Sequence, residues 1–379
     1  MKQKNSLKQL KEKNKQAIIN AIFNSKGISR AELSEQIGLS PTAVSDLVEE
    51  LLDEGILEEF DLGISSGGRK PILLKIKPEC GYIMVVHVTG ERINTNLYDL
   101  DFKVIESYEK EFSYFDVPNL QEIIVKYFRE IESKYTSSNK RIYGLGICLG
   151  EDIESLNPRG ILDTSISSER VRLSQAISFE LGIDVIEESE RDMKALIEAT
   201  QIDGVQNLAY INIGEYINAS IVLNCDIFKY PVNIEHMIID LNGPKCEEGH
   251  RGCLKTLVST RAVIKKALII MFEEKNDNIN VNNDFSNINI FNIEKYLHKE
   301  SMKRLVEEIS SYLCASISNI KMMFNIDSVV LDGEIISLPG LISKIQTSLK
   351  NIIVRRCDVE QSEVMKQVAR RVIKSIIYA

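Results

Sequence analysis

SRAELSEQIGLSPTAVSDLVEELLDEGILEEFDLGISSGGRKPILLK, residues 29–75, decides how the amino-terminal part of the chain folds. Ser29 with Glu32 three residues on has the form of a capping box, in which each side chain satisfies a backbone N–H at a helix start. A helix therefore begins at Arg30, with Ala31, Leu33 and Ile37 on its apolar side and Gly38 where a left-handed cap is wanted. Ser40 caps a second helix with Pro41 at its first position, where the missing N–H costs nothing. Val44, Leu47, Val48, Leu51 and Leu52 recur at helical spacing and face inward, leaving Pro41, Thr42, Ser45, Asp46 and Glu49 outward. Gly55 stops this helix, and Ile56 to Phe60 and Ile72 to Ile76 read as strands flanking a loop rich in Gly and Ser. Two short helices at a tight turn followed by a hairpin outline a winged helix-turn-helix, with the second helix shaped for a DNA major groove.

The predicted DNA contacts follow from that outline. Ser29, Arg30, Ser40, Pro41, Thr42, Ser45 and Asp46 lie at the two helix starts or on the exposed side of the second helix. Thr42 and Ser45 can meet bases or phosphates, and Asp46 can accept from a cytosine amine, whereas Glu49 must point away from phosphate. In the loop, Gly67 and Gly68 let the backbone approach a duplex closely, and Arg69 and Lys70 beside them suit a narrow minor groove. The competing readings are a small helical module that binds protein and, for the loop, a plain linker.

The whole chain has 379 residues, 44% hydrophobic and 27% charged, too long for one core, so two or three domains are expected. No apolar run approaches the roughly 18 residues that span a bilayer, and the basic start MKQKNSLKQLKEKNK precedes no apolar region, which predicts a cytoplasmic protein without membrane contact. Seven scattered cysteines fit reduced thiols, with Cys80, Cys148, Cys225, Cys314 and Cys357 read as buried packing residues. The net charge of −9 argues against a nonspecific polyanion binder, yet residues 1–30 hold eight Lys plus Arg against one acidic residue. A basic arm and first helix, turned inward on Ala17, Ile18, Ala21 and Ile22, would supply phosphate contacts, or else a solvated lysine face.

Beyond the loop, Gly81 to Tyr108 holds two β-rich runs, Asn119 to Tyr135 an amphipathic helix and Ile142 to Leu149 a buried strand. Val171 to Leu181 reads as a helix, Asp184 to Glu187 as a strand, Arg261 to Glu274 and Ser301 to Phe324 as helices around an Asn-rich loop, and Ser362 to Tyr378 as a final helix. Alternating strands and helices imply an α/β core. The GGRKP loop, the Leu-rich strand, Pro78 and Gly81 before a β-rich run together resemble the ROK family, and in particular its transcriptional regulators. The resemblance implies a mainly-α winged helix-turn-helix over 1–77, then a two-lobed actin/hexokinase-like (ribonuclease H-like) α/β domain. Its first lobe would span 78–199 plus the carboxy-terminal helix 362–379, and its second lobe 200–361.

Against the family pattern the functional letters have changed. ROK kinases open with an Asp-x-Gly-Gly-Thr phosphate loop, where this chain reads His87-Val88-Thr89-Gly90-Glu91. Their glycine-rich second loop is here Gly214-Glu215-Tyr216-Ile217-Asn218-Ala219-Ser220, and the late Gly-Gly-Gly is Asp332-Gly333-Glu334. Lost glycines and added carboxylates argue against ATP as a ligand. The sugar-side motif, whose central acid is the family's general base, reads Glu188-Ser189-Glu190-Arg191-Asp192. A polar ligand site built from Ser189, Glu190, Asn233, His236 and Lys255 is what remains. The family's zinc motif persists as His236, Cys246 and Cys253, with Glu248 at the middle cysteine and His250 as another donor nearby; the resemblance implies either a structural Zn²⁺ site or one that has lost its metal and is held by packing. The resulting expectation is a repressor that binds a double-stranded, inverted-repeat operator as a homodimer or homotetramer and senses a small effector, a sugar or sugar derivative, without phosphorylating it. An active sugar kinase and a ligand-independent dimeric DNA-binding protein are the alternatives.

Overall fold

The computed structural model describes residues 2–23, 25, 27–62, 71–111, 117–136, 140–156, 163–166, 169–230, 232–273, 290, 293 and 299–378. They fall into two compact units, one drawn from 1–153, 157–188 and 365–379, the other from 154–156 and 189–364.

The first unit begins with α1 (Lys2–Phe23), β1 (Ile28–Ser29), α2 (Arg30–Ile37), α3 (Pro41–Asp53), β2 (Leu57–Leu62) and β3 (Ile72–Ile76). The capping box is present, with the Ser29 hydroxyl accepting from the Glu32 N–H and the Glu32 carboxylate accepting from the Ser29 N–H at 2.8 Å. Ser40 likewise caps α3, its hydroxyl accepting from the Ala43 N–H at 3.3 Å. Ile18 and Ile22 of α1, Leu33 of α2, Val44, Val48 and Leu51 of α3, and Leu57 and Leu74 of the wing close into one core. The wing is a three-stranded sheet in which β3 pairs antiparallel with both β1 and β2. Arg69 and Lys70 lie outside the described residues.

Two lysines of the basic arm serve the fold. Lys15, only 8% exposed, reaches Glu50 at 3.0 Å and Glu54 at 2.6 Å, and Lys11 reaches Glu50 at 2.5 Å. Hydrogen bonding to Glu54, and less so to Glu50, holds the Lys15 ammonium above its ordinary pKa. These pairs fasten α1 to α3, so the arm offers less positive charge to a phosphate than its composition suggests.

The unit continues with β4 (Gly81–Val88), β5 (Arg92–Tyr98), β6 (Val104–Glu111), α4 (Val117–Thr136), β7 (Arg141–Leu149), α5 (Glu151–Leu156), β8 (Asp163–Ile166), β9 (Glu169–Arg172), α6 (Leu173–Leu181) and β10 (Asp184–Ser189). Where the sequence suggested two β-runs, there are three strands. The third, β6, is solvated along most of its length at a sheet edge and shows no hydrophobic alternation. The helix read from Val171 starts at Leu173, because Glu169–Arg172 pairs with β8.

The chain then passes through α7 (Glu190–Gln201), β11 (Leu208–Ile213), β12 (Ile217–Leu223), β13 (Asp226–Ile227), α8 (Leu254–Val258), α9 (Thr260–Glu273), α10 (Glu300–Phe324), β14 (Ser328–Asp332), α11 (Leu341–Ser348), β15 (Ile353–Arg356) and α12 (Gln361–Tyr378). Helix α7 belongs to the second unit and the end of α12 to the first. The two five-stranded sheets repeat one plan: β6-β5-β4-β7-β10 and β13-β12-β11-β14-β15 each join an antiparallel meander to two later strands. In each, the first strand of the meander pairs parallel with the fourth. This duplicated order is the ribonuclease H-like pattern of the two-lobed kinase fold.

Val368, Val372 and Ile376 of α12 pack on β7 at Gly144 and Gly146, where a Cβ would approach these side chains to 2.5–2.9 Å. The missing side chains let the helix lie directly on the strand. One reading is corrected by burial: Cys225 is exposed, in the positive-φ turn Asn224-Cys225 before β13, whereas Cys148 is buried and Cys80, Cys314 and Cys357 are partly so.

Candidate functional site

On α3 the side chains sort as their spacing requires. Val44, Leu47, Val48 and Leu51 are buried, while Pro41, Thr42, Ser45, Asp46 and Glu49 are exposed together with the cap Ser40. The helix thus presents a short polar edge at its start. Two other predicted contacts have local roles in the fold. Ser29 is buried, and its hydroxyl donates to Glu32 at 2.7 Å, so it serves as a cap. Arg30 pairs with Glu59 of β2 at 2.9 Å, tying α2 to the wing.

The segments read as phosphate loops meet or carry carboxylates of the chain itself. In the first unit the Gly90 N–H donates to Asp152 Oδ2 at 2.6 Å, and His87 is buried within β4. In the second unit Asp332 accepts from the Tyr210 hydroxyl at 2.6 Å and pairs with Lys194 at 3.2 Å. Burial pushes the Asp332 carboxyl upward, but Lys194 and Tyr210 outweigh it and hold the group below its ordinary pKa. Glu334 accepts from the Thr260 hydroxyl at 2.7 Å, and the Gly214 N–H is turned back to the Tyr216 carbonyl at 3.1 Å. Each of these carboxylates is thus engaged within its own unit.

Of the predicted ligand residues, Ser189 caps α7 by accepting from the Asp192 N–H at 3.4 Å, and Glu190 pairs with Lys194 at 3.3 Å. Lys194 thus bridges Glu190 and Asp332. Its position four residues after Glu190 was the available sequence signal; Tyr210 and Asp152, which act across the fold, gave none. Asn233 is exposed at the start of the loop carrying His236, and Lys255 pairs with Glu247 at 3.2 Å and approaches Glu235 at 3.9 Å.

His236 and Lys255 border a tighter cluster. One ligand atom each from His236, Cys246, His250 and Cys253 lie within 4.8 Å of one another. The loop is folded by bridges Ile238↔Cys253 and Lys245↔Arg251, which return Cys253 to the His236 segment. Gly252, at φ +65, is required: a Cβ there would come within 1.5 Å of the Asp240 carbonyl oxygen. Cys246 Sγ lies 3.9 Å from His236 Nδ1, while His236 Nε2 faces Glu235 at 3.2 Å and Glu248 at 3.5 Å. Burial pushes the Cys253 thiol up to about 11, and its contact with Cys246 adds to this. Two thiols and two imidazoles gathered this closely are compatible with a structural Zn²⁺. Glu248, predicted at the middle-cysteine position, stands beside the cluster with its side chain 60% exposed.

The ROK family model matches residues 83–371, and a winged helix-turn-helix DNA-binding model matches residues 11–58. The xylose repressor of Bacillus subtilis (strain 168) is 26% identical over 350 residues, covering 90% of this chain and 88% of that protein. Among solved structures, a ROK family transcriptional regulator homologous to the E. coli MLC protein superposes with a TM-score of 0.70 at 18% identity, over 98% of this chain and all of that one. The ROK hexokinase from Thermus thermophilus covers 78% of this chain and 99% of its own at a TM-score of 0.59 and 15% identity.

Proposed function

The chain belongs to the ROK family, and on that premise we infer that it is a DNA-binding transcriptional repressor whose kinase-like part senses a small sugar-type effector without phosphorylating it. The observation that carries this reading is the exposed polar edge of α3, Pro41, Thr42, Ser45 and Asp46, on a capped and fully cored winged helix-turn-helix. The relative from Bacillus subtilis is a xylose repressor, which makes xylose the first effector to test. A ligand that favours one arrangement of the chain shifts operator affinity by the difference in its own affinity for the two states. One recognition helix contacts too few bases to find a genomic site, so the protein acts as a homodimer or homotetramer on an inverted repeat, in the cytoplasm where that DNA lies. Among the described residues, no helix is long and apolar enough to cross a membrane. His236, Cys246, Cys253 and His250 would hold a structural Zn²⁺, with Glu235 and Glu248 on the outer nitrogen of His236.

Selection from a randomised duplex library should return an inverted repeat with half-site centres an integral number of turns apart, about 34 Å per turn. Recovery of half-sites alone would count against the paired reading. On the selected operator, Arg69→Ala with Lys70→Ala should weaken binding similarly for all sequences and reduce the salt slope by about 2. An unchanged slope would remove the loop from the interface.

Because the segments read as phosphate loops carry Glu215, Asp332 and Glu334, and the Gly90 N–H is already bonded to Asp152, calorimetry should detect no ATP binding, and hexoses and amino sugars should not be phosphorylated. Sugar phosphorylation that disappears in Glu190→Gln would make the protein an enzyme. Xylose or another effector should raise the melting temperature and lower operator affinity together; the absence of either across a broad sugar panel would favour a ligand-independent DNA-binding protein.

A further inference from the structure

Two hollows adjoin in the first unit where the end of α1, the wing strand β3, the turn between β5 and β6, and α12 meet. One is an apolar chamber of about 170 Å³ whose walls include Ile19, Ile56, Ile83 and Ile376. The other is a groove of about 420 Å³ bearing Lys75, Phe102, Arg370 and Lys374, with Asp101 as its acidic residue. Phe23, Ile76 and Leu100 line both, so the chamber and the groove form one amphipathic site.

Two of the three groove cations have no ion pair among the described residues. Lys75 is paired with Glu58 at 3.0 Å. Arg370 contacts only the Gln367 amide oxygen, at 3.2 Å, and the Phe102 ring, at 5.3 Å, among the described residues. Lys374, one helical turn further on the same side of α12, has no partner among them. Phe102 sits at φ +62, a backbone conformation that disfavours a bulky side chain, and its ring there supports the Arg370 guanidinium. The site therefore offers an apolar chamber about the size that accepts a benzene ring, beside two cations that form no ion pair among the described residues.

We propose that this is a second ligand site, specific for a small carboxylate with an apolar body of about seven carbons. The body occupies the chamber between α1, the wing and β4, and the carboxylate lies against Arg370 and Lys374. Because the walls come from both the DNA-reading module and the adjoining sheet, occupancy is linked to the pose of α3 and hence to DNA affinity.

The test uses the full chain and octanoate below its micelle concentration, followed by calorimetry. Octanoate should bind once per chain, with 1-octanol at least tenfold weaker. Arg370→Ala with Lys374→Ala should weaken octanoate at least tenfold and leave octanol unchanged, with unaltered melting temperatures confirming that both proteins are folded. Arg370→Lys should retain affinity within a few fold, and Ile19→Trp, which fills the chamber, should abolish binding. Saturating octanoate should change the DNA affinity of the wild type at least threefold and leave that of the double variant unaffected. Octanoate affinity indifferent to the double substitution, or absent altogether, would overturn the site; equal DNA affinity with and without octanoate would overturn the linkage.

Discussion

Replacing Thr42 and Ser45 together by glutamate is expected to lower operator affinity by about 10²–10⁴-fold while leaving thermal stability unchanged. Each good base contact is worth about 1–3 kcal/mol, and each glutamate both removes such a contact and adds a charge that phosphates repel. Stability should not respond, because both side chains are exposed and the α3 core residues Val44, Leu47, Val48 and Leu51 face the other way. Fluorescence anisotropy on the selected operator and a thermal melt measure the two quantities. Full affinity in the double variant would mean that α3 does not read the DNA. Loss of affinity with a lowered melting temperature would indicate damage to the module instead. Ser45→Ala alone should alter base preference more than overall affinity, because it removes one directional group without adding charge.

The helix-turn-helix was legible residue by residue because its signals are local. Ser29, Glu32, Ser40, Pro41 and Gly38 act within a few positions of themselves, and each occupies its predicted place. Strand β6, beyond the wing, illustrates a different limit: it lies at a sheet edge with most side chains solvated, so a pattern that depends on one-sided burial cannot mark it. Pairings across the fold were beyond reach for another reason. Asp152 meets Gly90 and Lys194 meets Asp332 because the topology returns distant segments to one place, and no short-range spacing encodes that return. The basic arm was half legible. Its composition is plain, but only the structure distinguishes Lys11 and Lys15, which grip α3, from Lys13, which stays exposed.

The second large effect concerns the Cys/His cluster, where two fourth ligands compete. Structural zinc contributes about 10–16 kcal/mol of apparent binding energy in small domains, so one ligand of four is worth about 2.5–4 kcal/mol, or on the order of 10²–10³ in affinity. His250→Ala and Cys253→Ser should each weaken Zn²⁺ binding by that factor, measured by competition with a chromophoric chelator. Glu248→Ala should cost only about tenfold, because its carboxylate faces His236 Nε2 at 3.5 Å, the nitrogen turned away from Cys246, where it would orient the imidazole rather than bind the metal. Glu235, closer to the same nitrogen at 3.2 Å, should behave like Glu248. Chelation should lower the melting temperature and speed amide exchange at Cys246, Gly249 and Gly252, whose N–H groups bond only within this loop. A loss in Glu248→Ala equal to that in His250→Ala would restore the carboxylate to the ligand set. A protein that neither carries zinc nor gains stability from it would leave His236, Cys246, His250 and Cys253 as packing residues of a site that has given up its metal.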